Sequence, residues 1–283
     1  MSRLGTRERL RRVSSAVSQI LDRDARGVLN IPPDWYAVER LGQFQDPEST
    51  WQPAGRFAEL FANHHGRVAH KWVHYFEIYD RLFDRFTDGV AMADGSRRPL
   101  HFLEIGVAQG GSLELWREYL GPDAVIFGID IDPNCANLDR DDLPVRIGSQ
   151  ADPEFLKSVV AEMGGVDVVL DDGSHVALHQ RASFDTLFPL LSPNGLYVVE
   201  DTHTAYFFDF GGGLRRPGTI IEVAKQMVDG LNKWYFRAPV GRRAKLAWTD
   251  VVSIQFFESI VAFEKGPRRR PEVRKTALAA DTR

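Results

Sequence analysis

Val166-Asp167-Val168-Val169-Leu170-Asp171-Asp172-Gly173-Ser174-His175 decides how this chain folds, and Leu196-Tyr197-Val198-Val199-Glu200-Asp201 answers it downstream. Each is an apolar, β-branched run that stops in carboxylates, the pattern of a buried parallel strand presenting acids at its C-terminal end. In open α/β sheets, ligands bind outside those strand ends. The two runs therefore bring Asp172, Glu200, Asp201 and the imidazole of His175 to one rim, the makings of a metal site with a base beside it.

Around these runs, strands are expected at 100–105, 125–130, 144–147, 166–171, 195–200 and 252–263, the last interrupted. Helices are expected at 111–120, 153–163, 176–191 and 219–232. This alternation implies an α/β domain over 99–266, a doubly wound, mostly parallel Rossmann-like sheet. Residues 1–98 read as an N-terminal helical and irregular extension. It has helical spacing over 6–24, a Pro-, Trp- and Gln-rich linker over 28–56 and a helical pattern from Arg56 to Phe86. Phe57, Leu60, Phe61, Trp72, Phe76, Tyr79 and Phe83 are its packing residues. Lys71, His74 and Tyr75 interrupt that apolar pattern, and packing or capping roles are expected for them. The extension is assigned oligomer contacts and part of a substrate lid, and 267–283 a basic tail.

A chain of 283 residues suffices for one large α/β domain with additions. With 43% hydrophobic and 26% charged residues it reads as soluble and globular. It has no apolar run near bilayer length and no apolar signal segment at its charged N-terminus. The single cysteine, Cys135, excludes an internal disulfide, a cysteine zinc site and an iron–sulfur cluster, and a reducing cytoplasm is the expected location. The net charge of −4 conceals basic ends: seven Arg against three acids over 1–27, and seven Arg or Lys against two acids after Glu264. Solvated tails or oligomer arms are expected there rather than nucleic-acid contacts.

The first strand runs into Leu103-Glu104-Ile105-Gly106-Val107-Ala108-Gln109-Gly110-Gly111-Ser112 and then a helix. Glycines at such a turn let backbone approach a ligand and free the helix N-terminus. The spacing is Gly106-x-x-x-Gly110-Gly111, not the dinucleotide G-x-G-x-x-G, which disfavours a dehydrogenase. The next strand, Val125-Ile126-Phe127-Gly128-Ile129-Asp130, ends in an acid able to accept two ribose hydroxyls; Asp132 competes, but Asp130 sits at the strand edge. Gln150 and Asp152 follow the third strand, where adenine is contacted in this fold, and Asp152 serves equally as a helix N-cap.

Glu104-x-Gly106-x-x-x-Gly110 resembles motif I of class I S-adenosylmethionine methyltransferases. The spacing from Asp172 to Glu200-Asp201 resembles that of catechol-type O-methyltransferases, with His175 where those enzymes place a lysine base. The closer resemblance is to the macrocin and mycinamicin sugar O-methyltransferases, which include cephalosporin-hydroxylase-like proteins. It is carried by Asp171-Asp172-Gly173-Ser174-His175, Leu187-Phe188-Pro189, Gly195 to Asp201, Thr204-Ala205-Tyr206 and Ser253 to Val261, and covers roughly 65–265.

That resemblance implies S-adenosylmethionine held around Glu104, Gly106, Gly110, Ser112, Asp130, Gln150 and Asp171. It further implies Mg²⁺, or Mn²⁺, on Asp172, Glu200 and Asp201, His175 as general base, and a sugar-containing small molecule or oligosaccharide as acceptor. A homo-oligomer is expected. The loop Phe207 to Gly218, with aromatics, glycines and Arg215-Arg216, suits a substrate lid, and His203 and Tyr206 lie within reach of the rim. A small aromatic, catechol-like acceptor is the alternative within the class, and a non-catalytic S-adenosylmethionine-binding accessory protein the alternative outside it. A nucleic-acid methyltransferase is disfavoured because no Asn/Asp-Pro-Pro-aromatic motif occurs.

Overall fold

The structure is a computed structural model that describes residues 51–92, 94–237 and 250–276. The helix expected over 6–24 lies outside the described residues, as does most of the linker over 28–56. The described residues from Pro53 onward form one compact unit.

Two helices, α1 (Arg56–Asn63) and α2 (Tyr75–Phe83), precede a short hairpin of β1 (Val90–Ala91) and β2 (Arg97–Arg98). The alternating part runs β3 (His101–Ile105), α3 (Gly111–Leu120), β4 (Val125–Asp130), β5 (Val145–Ile147), α4 (Pro153–Met163), β6 (Val166–Asp171), α5 (Ala177–Leu187), β7 (Leu191–Val199), α6 (Ile220–Leu231), β8 (Val251–Phe257) and β9 (Ile260–Lys265). The sheet order is β5-β4-β3-β6-β7-β9-β8. β3 to β7 pair in parallel, and β9 enters antiparallel between β7 and β8. The expected doubly wound, mostly parallel sheet is thus observed, with the order reversing between β3 and β6.

β6 is buried along its whole length, which explains its uninterrupted apolar run. The interruption expected near the end of the chain is the turn between β8 and β9, where Ser259 takes φ +62°. The expected helix 176–191 stops at Leu187 and tightens into a 3₁₀ turn over Phe188–Leu190, because Pro189 cannot donate a backbone hydrogen bond. β7 then starts at Leu191, earlier than expected, and Glu200 falls one residue beyond its end.

The helical pattern from Arg56 to Phe86 is broken over 64–74, a correction that matters for the site. The break is held by tertiary contacts: Glu114 Oε2 accepts Arg67 N–H at 2.8 Å, and a side chain on Gly66 would meet that same carboxylate oxygen at 2.2 Å. The flanking helices remain amphipathic. Phe57, Tyr79 and Phe83 close on Trp116 of α3 with ring centroids 4.8, 5.2 and 4.9 Å apart. Burying each such ring is worth about 1.5–3 kcal/mol, so α1 and α2 are firmly fixed on the sheet domain. No described helix is long and apolar enough to cross a membrane.

Candidate active site

A cavity of about 440 Å³ lies at the C-terminal ends of β3, β4, β5 and β6, within the range of small-molecule sites. Gly106 to Gln109, Ser112, Asp130, Gly148 to Gln150 and Asp172 to His175 line it, together with Val68 to Lys71 from the broken segment. Asp201 also lines it.

The turn after β3 is built around backbone proximity. Gly106 has φ +92°, and a Cβ there would lie 2.2 Å from the Asp172 carbonyl oxygen, so only glycine lets β3 and β6 end side by side. Asp130 Oδ2 accepts N–H bonds from Val107 and Ala108 at 2.9 and 3.0 Å, while Oδ1 accepts Asp132 N–H at 2.9 Å. This carboxylate both shapes the turn and faces the cavity, and Oδ1, which accepts a single N–H, retains a lone pair for a ligand hydroxyl. Gln150 donates to Asp171 Oδ1 at 3.0 Å and accepts Ser174 N–H at 2.7 Å, clamping the β5 and β6 loops together. Asp152 caps α4 through Glu154 N–H and Phe155 N–H.

Two of the expected cofactor residues stand behind the cavity wall. Asp171 is fully buried under Gln150, Ser183 and Tyr197, and burial raises its pKa against those hydrogen bonds. Glu104 is likewise buried, accepts the Ser112 hydroxyl, and is pushed up to about 7 by burial, opposed by Lys71 and Ser112. Gly110, at φ +86°, forms the N-terminal cap of α3 and does not line the cavity.

Within this lining, Asp172, His175 and Asp201 each offer a donor atom, and these atoms lie within 4.8 Å of one another. His175 Nε2 is 3.6 Å from Asp201 Oδ2. His175 and Asp201 both hold left-handed backbone, φ +57° and +51°, a strained pairing that aims the two side chains at each other. The buried Nδ1 of His175 has no hydrogen-bond partner among the described residues.

Glu200, the third expected metal ligand, is turned away from that trio. Its Oε1 accepts the Tyr79 hydroxyl at 2.6 Å and its Oε2 the Lys71 ammonium at 2.8 Å. Lys71 Nζ also sits 2.5 Å from Asp172 Oδ2. Burial disfavours the charged lysine, but Asp172, Glu200 and Glu104 surround it and hold its pKa well above the ordinary value. Tyr75 donates to Asp201 Oδ1 at 2.6 Å, and burial beside that carboxylate keeps its phenol protonated well beyond its usual range.

The donor set suits a hard divalent cation: clustered carboxylates with one compensating ammonium and an unpartnered imidazole nitrogen. Lys71, Tyr75 and Tyr79, none of which the sequence pattern places in the site, orient these acids. Tyr75 and Tyr79 share a face of α2 by their four-residue spacing, a signal that periodicity reads only as packing. Lys71 reaches the site because the helix breaks.

No family model matches the chain. Over 222 residues it is 35% identical to the 8-demethyl-8-(2-methoxy-alpha-L-rhamnosyl)-tetracenomycin-C 3'-O-methyltransferase of Streptomyces olivaceus, covering 75% of this chain and 54% of that one. Over 210 residues it is 33% identical to the demethylmacrocin O-methyltransferase of Streptomyces fradiae, covering 69% and 50%. A solved structure of MycE methyltransferase from the mycinamycin biosynthetic pathway, in complex with Mg, SAH and mycinamycin VI, superposes with TM-score 0.61 at 28% identity, covering 83% of this chain and 62% of that one.

The chain belongs to the macrocin and mycinamicin sugar O-methyltransferase family.

It spans about half the length of the curated family members it matches, 54% and 50% of the two above. Its sheet is the class I methyltransferase sheet, with Asp172, His175, Glu200 and Asp201 just beyond the ends of β6 and β7.

Proposed function

We propose that this protein transfers a methyl group from S-adenosylmethionine to a sugar hydroxyl of a glycosylated acceptor, with a divalent cation, Mg²⁺ or Mn²⁺, at its carboxylate rim. The observation that carries the reading is one continuous cavity lined by Gly106, Asp130, Gln150, Asp172, His175 and Asp201. The acceptor class rests on the relatives, whose names specify rhamnosylated tetracenomycin and demethylmacrocin.

The turn from Gly106 to Gln109 receives the amino-acid end of the cofactor, Asp130 its ribose and the stretch Gly148 to Gln150 its adenine. Asp172 and Asp201 would hold the cation, and Glu200, bonded to Lys71 and Tyr79, would join them only if its Oε2 parted from Lys71. When bound, S-adenosylmethionine supplies an electrophilic methyl group and the cation makes an acceptor hydroxyl more acidic. His175 takes the hydroxyl proton at Nε2, where Asp201 Oδ2 at 3.6 Å stabilises the resulting imidazolium. Loss of that proton would leave the hydroxyl oxygen free to take the methyl group, the donor sulfur keeping the electron pair of the broken carbon–sulfur bond. Held in the same cavity as the methyl donor, the acceptor would be positioned for transfer, and that positioning would supply much of the acceleration.

Calorimetric titration of S-adenosylmethionine and S-adenosylhomocysteine, with and without Mg²⁺, tests the cofactor assignment. Binding of both is expected. S-adenosylhomocysteine formation from rhamnosylated and other glycosylated polyketides is expected to stop on addition of EDTA. A protein that binds neither nucleoside contradicts the reading.

A further inference from the structure

His203 stands two residues beyond Asp201 in the 3₁₀ turn Thr202–Tyr206, outside the trio at the rim. Its ring lies edge-on to Trp72, with centroids 6.3 Å apart, and 5.5 Å from the ring of Phe207. Its side chain is 29% exposed, so a ligand can reach it. Aromatic walls of this kind receive the apolar face of a sugar ring while a polar group reads its edge.

Three short contacts in line tie this imidazole to Asp201. Tyr75 Oη is 2.6 Å from Asp201 Oδ1, Ser259 Oγ is 2.9 Å from Tyr75 Oη, and His203 Nδ1 is 2.5 Å from Ser259 Oγ. Each contact needs a hydrogen between its heavy atoms, because two lone pairs facing one another at such distances repel. The ionised carboxylate brings none, the tyrosine one and the serine one. The tyrosine hydrogen is committed to Asp201. The serine hydrogen must then fill the gap to Tyr75, and the third must be the Nδ1 hydrogen of His203. If Ser259 instead donated to His203, the 2.9 Å contact with Tyr75 would hold no hydrogen.

We propose that His203 is an acceptor-positioning residue: the Asp201–Tyr75–Ser259 relay fixes its neutral Nδ1–H tautomer, and its bare Nε2 accepts a hydrogen bond from an acceptor hydroxyl. His175 and His203 lie on the same carboxylate, with Nε2 and Nδ1 respectively 3.6 and 3.9 Å from its two oxygens. Two imidazoles beside one carboxylate suit two hydroxyls of one sugar, and the simplest such pair is the hydroxyl that loses its proton to His175 and its neighbour. The acceptor half of this inference rests on the methyl-transfer reading; the tautomer half does not.

The tautomer is read by two-bond proton–nitrogen correlation spectra of the protein labelled with ¹⁵N-histidine, with the His203 signals assigned from His203→Gln. The expected result is an Nδ1–H imidazole in the wild type that shifts toward the Nε2–H form in Ser259→Ala and, independently, in Tyr75→Phe. An Nε2–H or doubly protonated ring in the wild type overturns the proposal. This readout requires no acceptor, so a failure of the methyl-transfer reading leaves it intact.

For the acceptor contact, the probes are methyl α-L-rhamnopyranoside and its analogue lacking the hydroxyl beside the methylated position. Loss of one neutral hydrogen bond is expected to raise KM about tenfold in His203→Ala with little change in kcat. His203→Gln, which can present an amide oxygen, is expected to recover part of that loss, and the KM of the deoxy analogue to be unchanged by either substitution. A rhamnoside methylated with the same KM by wild type and His203→Ala overturns the contact.

Discussion

The Lys71 ammonium lies 2.5 Å from Asp172 Oδ2 although the two residues stand 101 positions apart, and it reaches Glu200 Oε2 at 2.8 Å. With its side chain only 3% exposed, the lysine acts as a built-in cation for a carboxylate pair at the strand ends. Removing one partner of a buried pair costs about 3–5 kcal/mol because the other charges lose their compensation. Lys71→Met should therefore lower Tm by roughly 6–20 °C for a domain of this size. Mg²⁺ supplies the missing positive charge, so it should raise the Tm of Lys71→Met more than that of the wild type. Equal shifts on Mg²⁺ addition would separate Lys71 from the cation site.

Gly106 makes the second prediction. A methyl group at φ +92° and 2.2 Å from the Asp172 carbonyl oxygen forces β3 and β6 apart. Gly106→Ala is expected to destabilise the protein by about 2 kcal/mol or more and to weaken S-adenosylmethionine binding. Gly95→Ala is the control, since its φ is also positive, +86°, but its Cβ would meet nothing. Denaturant unfolding and calorimetry of the two variants separate backbone strain from the clash at the cofactor turn.

Acid sensitivity follows from a pair away from the site. Asp167 accepts both terminal nitrogens of Arg98, at 2.7 and 2.5 Å, together with His101 N–H and the Ser192 hydroxyl. Burial alone would raise its pKa, but Arg98, Ser192 and the His101 amide prevail and hold it below the ordinary carboxylate value. A depressed folded pKa means that the pair stabilises the protein above the unfolded value of about 3.9 and loses that contribution as pH falls through the folded value. Arg98→Ala should thus reduce stability at pH 7 and flatten the pH dependence below about pH 4. Parallel acid unfolding curves for the two proteins would contradict this.

Most of the sheet was legible because strand-end chemistry is local. Val166 to Asp171 reads as a buried strand from its own composition, and it is one. The same holds for α3 and α4, whose limits fall where capping glycines and Asp152 place them. The site was legible only in part. Asp171 and Asp172 are neighbours, and which one faces the cavity depends on the β6 pleat and on the Gln150 clamp, contacts 21 and 24 residues distant. Lys71 was hidden more deeply. Its segment keeps apolar spacing through Trp72 and Phe76, and only the docking of Arg67 on Glu114 breaks the helix. Gly66 beside His64 and His65 was the one local hint of that break.

His175→Ala should abolish turnover while leaving S-adenosylmethionine affinity within about threefold, because the imidazole serves the acceptor end of the cavity. Loss of cofactor binding in this variant would move His175 into the cofactor pocket.

The most direct measurement is methyl transfer from [methyl-¹³C]S-adenosylmethionine to a rhamnosylated polycyclic acceptor, followed by ¹³C NMR of the product, with and without EDTA. The proposed function predicts a labelled O-methyl signal on one sugar hydroxyl that vanishes with EDTA. A protein that binds the cofactor yet labels the aglycone instead of the sugar, or labels the sugar undiminished by EDTA, would contradict it.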